Sequence, residues 1–255
     1  MDAGDEYRTP EHGTLEYGTL EALGLADAPR DHPLSYPGAR PARTGLLDGD
    51  SLLPLDRLTH PGRTPVVAVG SNASPAQLRH KMAEFGIASP VPMVRTRVTG
   101  LDVGVSAHVS RLGYVSASPV NAPDATRELF VIWLDAEQLA MIDATEPNYD
   151  RVLLPAPGFR VELENGEALL EAFAYVNHHG VLHNGAGAPR SHPGQRALIT
   201  ELLAGSPALR LLFGATPEEF CARARADAQL CERGTRLFAE EKMVIASGLE
   251  HLHIH

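Results

Sequence analysis

The chain has 255 residues, 44% hydrophobic and 21% charged, enough for one large domain or two small ones with a packed core. Its net charge of −10 comes without a dense Lys/Arg cluster, which argues against a nucleic-acid partner, because phosphate binding needs local positive charge. No apolar run is long enough to span a bilayer, so no membrane partner is expected.

The start, Met1-Asp2-Ala3-Gly4-Asp5-Glu6, lacks the basic and apolar segments of a secretory signal. Cys221 and Cys231 form neither a disulfide framework nor a zinc motif. A reducing, cytoplasmic setting is the expectation. Residues 1–62 read as an N-terminal extension, partly disordered or wrapping over the domain. Leu15, Leu20, Leu23 and Leu25 hint at a short helix, but Pro33-Leu34-Ser35-Tyr36-Pro37-Gly38 breaks any regular pattern. The extension is expected to be dispensable for folding, and the folded domain is expected over 63–255.

The stretch Val66-Val67-Ala68-Val69-Gly70-Ser71-Asn72-Ala73-Ser74 organises the rest of the chain. Small apolar residues form a buried strand that runs into a Gly-Ser-Asn turn. A helix then begins, with Ser74 as N-cap and Pro75 at the first helical position. Strand, tight turn and helix start direct several backbone N–H groups at one spot, which suits a carboxylate or phosphate. An ordinary strand-to-helix connection has the same local signature.

Strands are expected over Val91–Val98, Leu101–Val105 and Val115–Val120, with a turn at Gly113 and a loop over Asn121-Ala122-Pro123-Asp124. Glu128–Leu134 is the strongest strand and is apolar on alternate and intervening positions, so both its faces should be covered. Asp135 and Gln138 form a capping box for the next helix. Pro147 disfavours helical geometry at Glu146 and places that residue at the helix end. A strand at Val152–Leu154 comes next. Phe159–Leu163 and Ala172–Val176 flank Glu164-Asn165-Gly166 as a hairpin-like pair. Residues 177–194 form a loop rich in His and Gly. Two helices, Gln195–Leu203 and Pro217 to about Arg233, flank Ser206–Phe213, and the last fifteen residues form a final strand or fray.

Glu146 is the carboxylate of interest. It follows an apolar helix and precedes Pro147, so burial is expected. A buried carboxyl group with no cation beside it suits proton transfer near neutral pH. From the residues alone, a surface helix-end glutamate or a partner for Arg151 is the alternative. No metal site and no cofactor are expected. His179 and His183 have a spacing that helps only on a helix, and Gly180 opposes one. His178 and His192 share that loop, and His251, His253 and His255 alternate like a strand edge, a pattern that suits adventitious metal binding only. His108, Ser110 and Ser71 lack the setting of a nucleophile elbow.

Taken together, the chain from about 65 to 215 resembles the γ-glutamylcyclotransferase-like family. The resemblance rests on Val69-Gly70-Ser71-Asn72, then Ile142-Asp143-Ala144-Thr145-Glu146-Pro147, then Tyr149-Asp150-Arg151, with Phe173-Ala174-Tyr175 and Pro189-Arg190-Ser191 further on. The sequence departs from the family pattern at Val69 (Tyr in the family), at Pro147 (Gly), and in His192-Pro193-Gly194-Gln195-Arg196, which lacks the usual aromatic residue. The resemblance implies an α+β fold, a small mixed β-barrel flanked by helices. It implies a small-molecule γ-glutamyl substrate, cyclised to 5-oxoproline with release of an amine. It further implies Glu146 as general acid/base and Val69, Gly70, Ser71, Asn72, Tyr149 and Tyr175 as substrate-binding residues. The alternative reading is a non-catalytic small-molecule binding module on the same fold. A homodimer is left open.

Overall fold

The computed structural model describes residues 17–253. Leu15, His255 and the acidic start lie outside them. The described residues hold eleven strands, in chain order β1 (Gly18–Thr19), β2 (Gly45–Asp48), β3 (Ser51–Leu53), β4 (Thr64–Ala68), β5 (Val91–Val109), β6 (Val115–Leu134), β7 (Tyr149–Leu153), β8 (Arg160–Leu163), β9 (Phe173–Asn177), β10 (Val181–Leu182) and β11 (Val244–Ile245). The helices are α1 (Pro75–Phe85), α2 (Ala136–Thr145), α3 (Gln195–Gly205), α4 (Pro207–Phe213), α5 (Pro217–Ala226) and α6 (Ala228–Glu240).

The sheet runs β1-β3-β2-β5-β6-β4-β9-β7, with β8 and β10 also pairing β5. Among the described residues only β4 and β9 pair in parallel. The expected barrel is not formed: among the described residues β1 and β7 stand at opposite ends of the path and do not pair, so the sheet stays open and helices cover it instead. The centre is one long hairpin, β5 and β6. Asn121–Asp124, expected as a loop, continues β6 across it. A register shift at Thr99/Gly100 absorbs the irregularity. Gly113 turns the hairpin at φ +88, as its position indicates. The chain turns back across Asn165-Gly166, but the returning partner of β8 is Glu167–Leu169, through Leu163 N to Glu167 O and Leu169 N to Val161 O, and not the expected Ala172–Val176. β8 pairs β5, whereas β9 pairs β4 and β7; β5 and β4 offer longer partners than a four-residue strand does.

Alternation along the central strands decides the layers. Val66 and Ala68 face one core with Phe130, Ile132 and Leu134, packed under α1 and α2. Val67 and Val69 face the opposite core with Leu129, Val131 and Trp133. Both faces of β6 are thus covered, as its continuous apolar run demands. A third core, with Phe213, Phe220 and Phe238, packs α3–α6 against the outer half of β5 and β6. The expected long helix from Pro217 breaks at Asp227, whose carboxylate caps α6 through Gln229 N and Leu230 N. Asp135 and Gln138 make the capping box in full. Residues 17–62 contribute Leu20, Leu25, Leu47 and Leu52 to the first core. Among the described residues no helix is long and apolar enough to cross a membrane.

Candidate active site

β4 delivers the chain into a 3-10 turn, Ser71–Ala73, and then into α1. Ser74 sits at the N-cap position before Pro75, but its hydroxyl makes no capping bond. The turn closes through Ala73 N to Gly70 O and Ser74 N to Ser71 O. The N–H groups of Ser71 and Asn72 precede the first of these bonds and make none within the turn. Gly70 is required by close approach: a Cβ there would lie 2.6 Å from the Tyr36 hydroxyl.

Asn72 points across to the end of α2. Its Nδ2 donates to Glu146 Oε1 at 3.1 Å, and its Oδ1 accepts from Lys81 Nζ at 2.9 Å. Lys81 Nζ also donates to Glu146 Oε1 at 2.9 Å. Three residues from three elements therefore close a triangle around one carboxylate oxygen. Lys81 is 3% exposed, although it is a lysine. Its stem lies in the packed helix face while its head meets the carboxylate. The expectation of a glutamate with no cation beside it is thus overturned. The alternative partner is overturned as well, because Arg151 pairs bidentately with Asp143 at 3.1 and 3.3 Å. Among the described residues both bonds to the Glu146 carboxylate fall on Oε1, and Oε2 accepts none.

A cavity of about 930 Å³ opens over this triangle. Val69, Gly70, Ser71, Asn72, Glu146, Tyr149 and Tyr175 all line it. Val69 packs its side chain into the core and offers its carbonyl to Arg40 at 3.0 Å. Tyr149 donates its hydroxyl to Ala117 O at 3.0 Å, and Tyr175 donates to Asp143 Oδ1 at 2.6 Å. Burial, followed for Tyr175 by the Asp143 carboxylate, pushes both phenols up, so they remain neutral.

Two groups in the wall have positions there that the sequence reading does not assign. Tyr36, from the N-terminal segment, stacks on Tyr114 with ring centroids 4.4 Å apart, and its Oη accepts from Ala117 N at 2.7 Å. Burial raises its pKa as well. With its oxygen taken by the amide, its own proton is the group left to give. Tyr36 also lies 5.5 Å from the His192 ring, so an aromatic side chain does reach that loop, but from the other end of the chain. The second group is His108, fully enclosed, with Nδ1 2.5 Å from Ser106 Oγ. Burial, then the neighbouring His179, pushes its imidazole down to about 3, so it is neutral. His179 in turn lies 3.0 Å from Asn148 Oδ1. Lys81 was hidden because it reads as one more polar residue of an amphipathic helix. Its only signal is that Gln77, one turn earlier on the same face, is polar too, and both are buried.

Comparison with protein-family models and with curated proteins finds no match. Among solved structures, a "Gamma-glutamyl cyclotransferase" is similar at 11% identity and TM-score 0.37, over 68% of this chain and 99% of that one. An uncharacterized protein from Homo sapiens is similar at 14% identity and TM-score 0.34, over 46% of this chain and 67% of that one.

Proposed function

We propose that this protein is a cyclotransferase that closes the γ-glutamyl group of a small amide to 5-oxoproline and releases the amine. The observation that carries the reading is the Asn72–Lys81–Glu146 triangle at the foot of the Gly70 turn, with Oε2 of the glutamate unengaged. The order and spacing of the motifs in the sequence support it.

The reaction needs no protein nucleophile, because the attacking amine belongs to the substrate, and holding it near its own carbonyl supplies much of the rate. The site has three tasks. The N–H groups of Ser71 and Asn72 are suited to hold the substrate α-carboxylate. Glu146 Oε2 takes a proton from the α-ammonium, and the freed nitrogen attacks the γ-carbonyl carbon. As the tetrahedral intermediate collapses, the carbon–nitrogen bond to the amine breaks, that nitrogen takes the proton back from Glu146, and the second proton of the ring nitrogen passes to the released amine, which leaves as its ammonium. The oxyanion formed between these steps needs neutral donors fixed in advance, and the Tyr36 hydroxyl is such a group. Lys81 and Asn72 hold Oε1, so the carboxylate presents Oε2 in one orientation.

The test is incubation of the full-length protein with a panel of γ-glutamyl amino acids, peptides and amines, with mass detection of 5-oxoproline. Release from at least one compound supports the reading. Saturable binding of these compounds with no 5-oxoproline from any of them would establish the binding-module reading instead.

A further inference from the structure

The C-terminal segment is fixed to the sheet on the side away from the Glu146 triangle. Leu249 is fully buried against Val152 of β7 and Val176 of β9. Glu250 then locks the turn before it: Oε1 accepts from Ser247 N and Oγ, and Oε2 accepts from Gly248 N at 2.9 Å. His253 N closes on Glu250 O at 3.3 Å. The chain therefore leaves this turn with His253 set over Asp150 of β7, its side chain only 12% exposed. His178, whose backbone N donates to Asn148 O at 3.0 Å, brings a second ring beside that of His253, with centroids 5.7 Å apart.

The Asp150 carboxylate faces both rings, with one oxygen to each. Its Oδ2 is 2.6 Å from His253 Nδ1, and its Oδ1 is 3.0 Å from His178 Nε2. One ligand atom from each of the three residues falls within 4.8 Å of the other two. Around a tetrahedral ion with bonds of roughly 2.1 Å, ligand atoms stand about 3.4 Å apart. Seating an ion here therefore takes side-chain shifts on the order of an ångström. Asp150 and His178 are each more than two-fifths exposed and free to make them. Two imidazole nitrogens and one carboxylate suit zinc and its borderline neighbours, whereas calcium and magnesium favour oxygen ligands alone.

We propose that Asp150, His178 and His253 form a binding site for a divalent ion of the zinc class, which clamps the C-terminal segment to β7 and to the turn after β9. Sequence spacing does not group these three, because they come from positions 28 and 75 residues apart. The site shares no ligand with the Glu146 triangle, so it stands or falls independently of the proposed reaction.

The experiment is titration of the chelator-treated, full-length protein with zinc chloride, read by calorimetry and by thermal melting. Saturation at one zinc per chain with a rise in melting temperature is expected. Removing even an outer-shell partner of a bound metal costs roughly 10–100-fold in affinity, so His178→Gln and Asp150→Asn should each weaken binding at least about tenfold. Circular dichroism of both variants checks that they are folded, and the exposure of the two side chains makes unfolding unexpected. His251→Gln is the control and should bind as wild type does. No saturable binding by the wild-type protein would overturn the proposal. So would a loss in His251→Gln equal to that in His178→Gln, which would mean capture by loose tail histidines.

Discussion

Replacing Lys81 by Met removes the ammonium from the Glu146 triangle while keeping an unbranched stem and a good helix former on α1. Breaking a buried ion pair by removing one partner costs about 3–5 kcal/mol, because the other charge is left desolvated. Glu146 keeps 18% side-chain exposure and its bond from Asn72, which argues for the low end, about 3 kcal/mol. In a chain of this size each kcal/mol moves the melting temperature by about 2–4 °C, so Lys81→Met should melt roughly 6–12 °C below wild type. The double variant Lys81→Met/Glu146→Gln removes both charges, and it should be less destabilised than the sum of the singles by about 1–3 kcal/mol. Urea unfolding of all four proteins, with an unchanged slope, measures the cycle. A Lys81→Met protein melting within about 1 °C of wild type, or singles that simply add, would refute the buried pair.

Other outcomes rest on the same geometry. Gly70→Val should lose γ-glutamyl binding measured by calorimetry, since its Cβ would meet the Tyr36 hydroxyl at 2.6 Å; normal binding would rule out the turn as the carboxylate cradle. Deleting residues 1–60 should abolish the cooperative melt, because Leu20, Leu25, Leu47 and Leu52 belong to the first core; a truncated protein that melts cooperatively near wild type would return that segment to the dispensable role expected from sequence. His108 is held down to about 3 against an ordinary value of 6.5, so between these values the unfolded chain carries a proton that the folded chain lacks. Its contribution to stability is whole above the upper value and is lost as pH falls through the window, by up to about 1.4 kcal/mol per pH unit. Urea unfolding of wild type and His108→Gln at about pH 7 and about pH 4.5 checks this, and equal pH slopes in the two proteins would contradict it.

The local parts of this molecule were legible because their signals are local. A small apolar run into Gly70-Ser71-Asn72 reads as strand and turn, and Asp135 with Gln138 reads as a helix start. Pro147 places Glu146 at a helix end. What stayed hidden depends on contacts between distant elements. Lys81 becomes a buried partner only when α1 packs beside α2. Tyr36 reaches the Gly70 turn from a Pro-rich segment whose composition suggested no fixed structure. The long hairpin reads as fragments because Gly100 and Pro123 look like breaks, whereas one register shift carries both: it falls between Thr99 and Gly100 and leaves Pro123 unpaired on the facing strand. The barrel was an inference from family likeness, and strand pairing, which periodicity does not report, decided against it.

The central claim is that Glu146 moves the proton that closes the ring. Glu146→Gln keeps the shape of the side chain and an oxygen for Lys81 and Asn72, yet cannot cycle a proton. Because Lys81 is its partner, this variant should also melt below wild type, contrary to what an unpaired glutamate would give. The direct measurement is the rate of 5-oxoproline release by the wild-type and Glu146→Gln proteins on the best compound of the panel, at a temperature where both are folded. A loss on the order of a hundredfold or more in turnover, with substrate still bound, is the expected result. Near-normal turnover in the folded Glu146→Gln protein would contradict the claim.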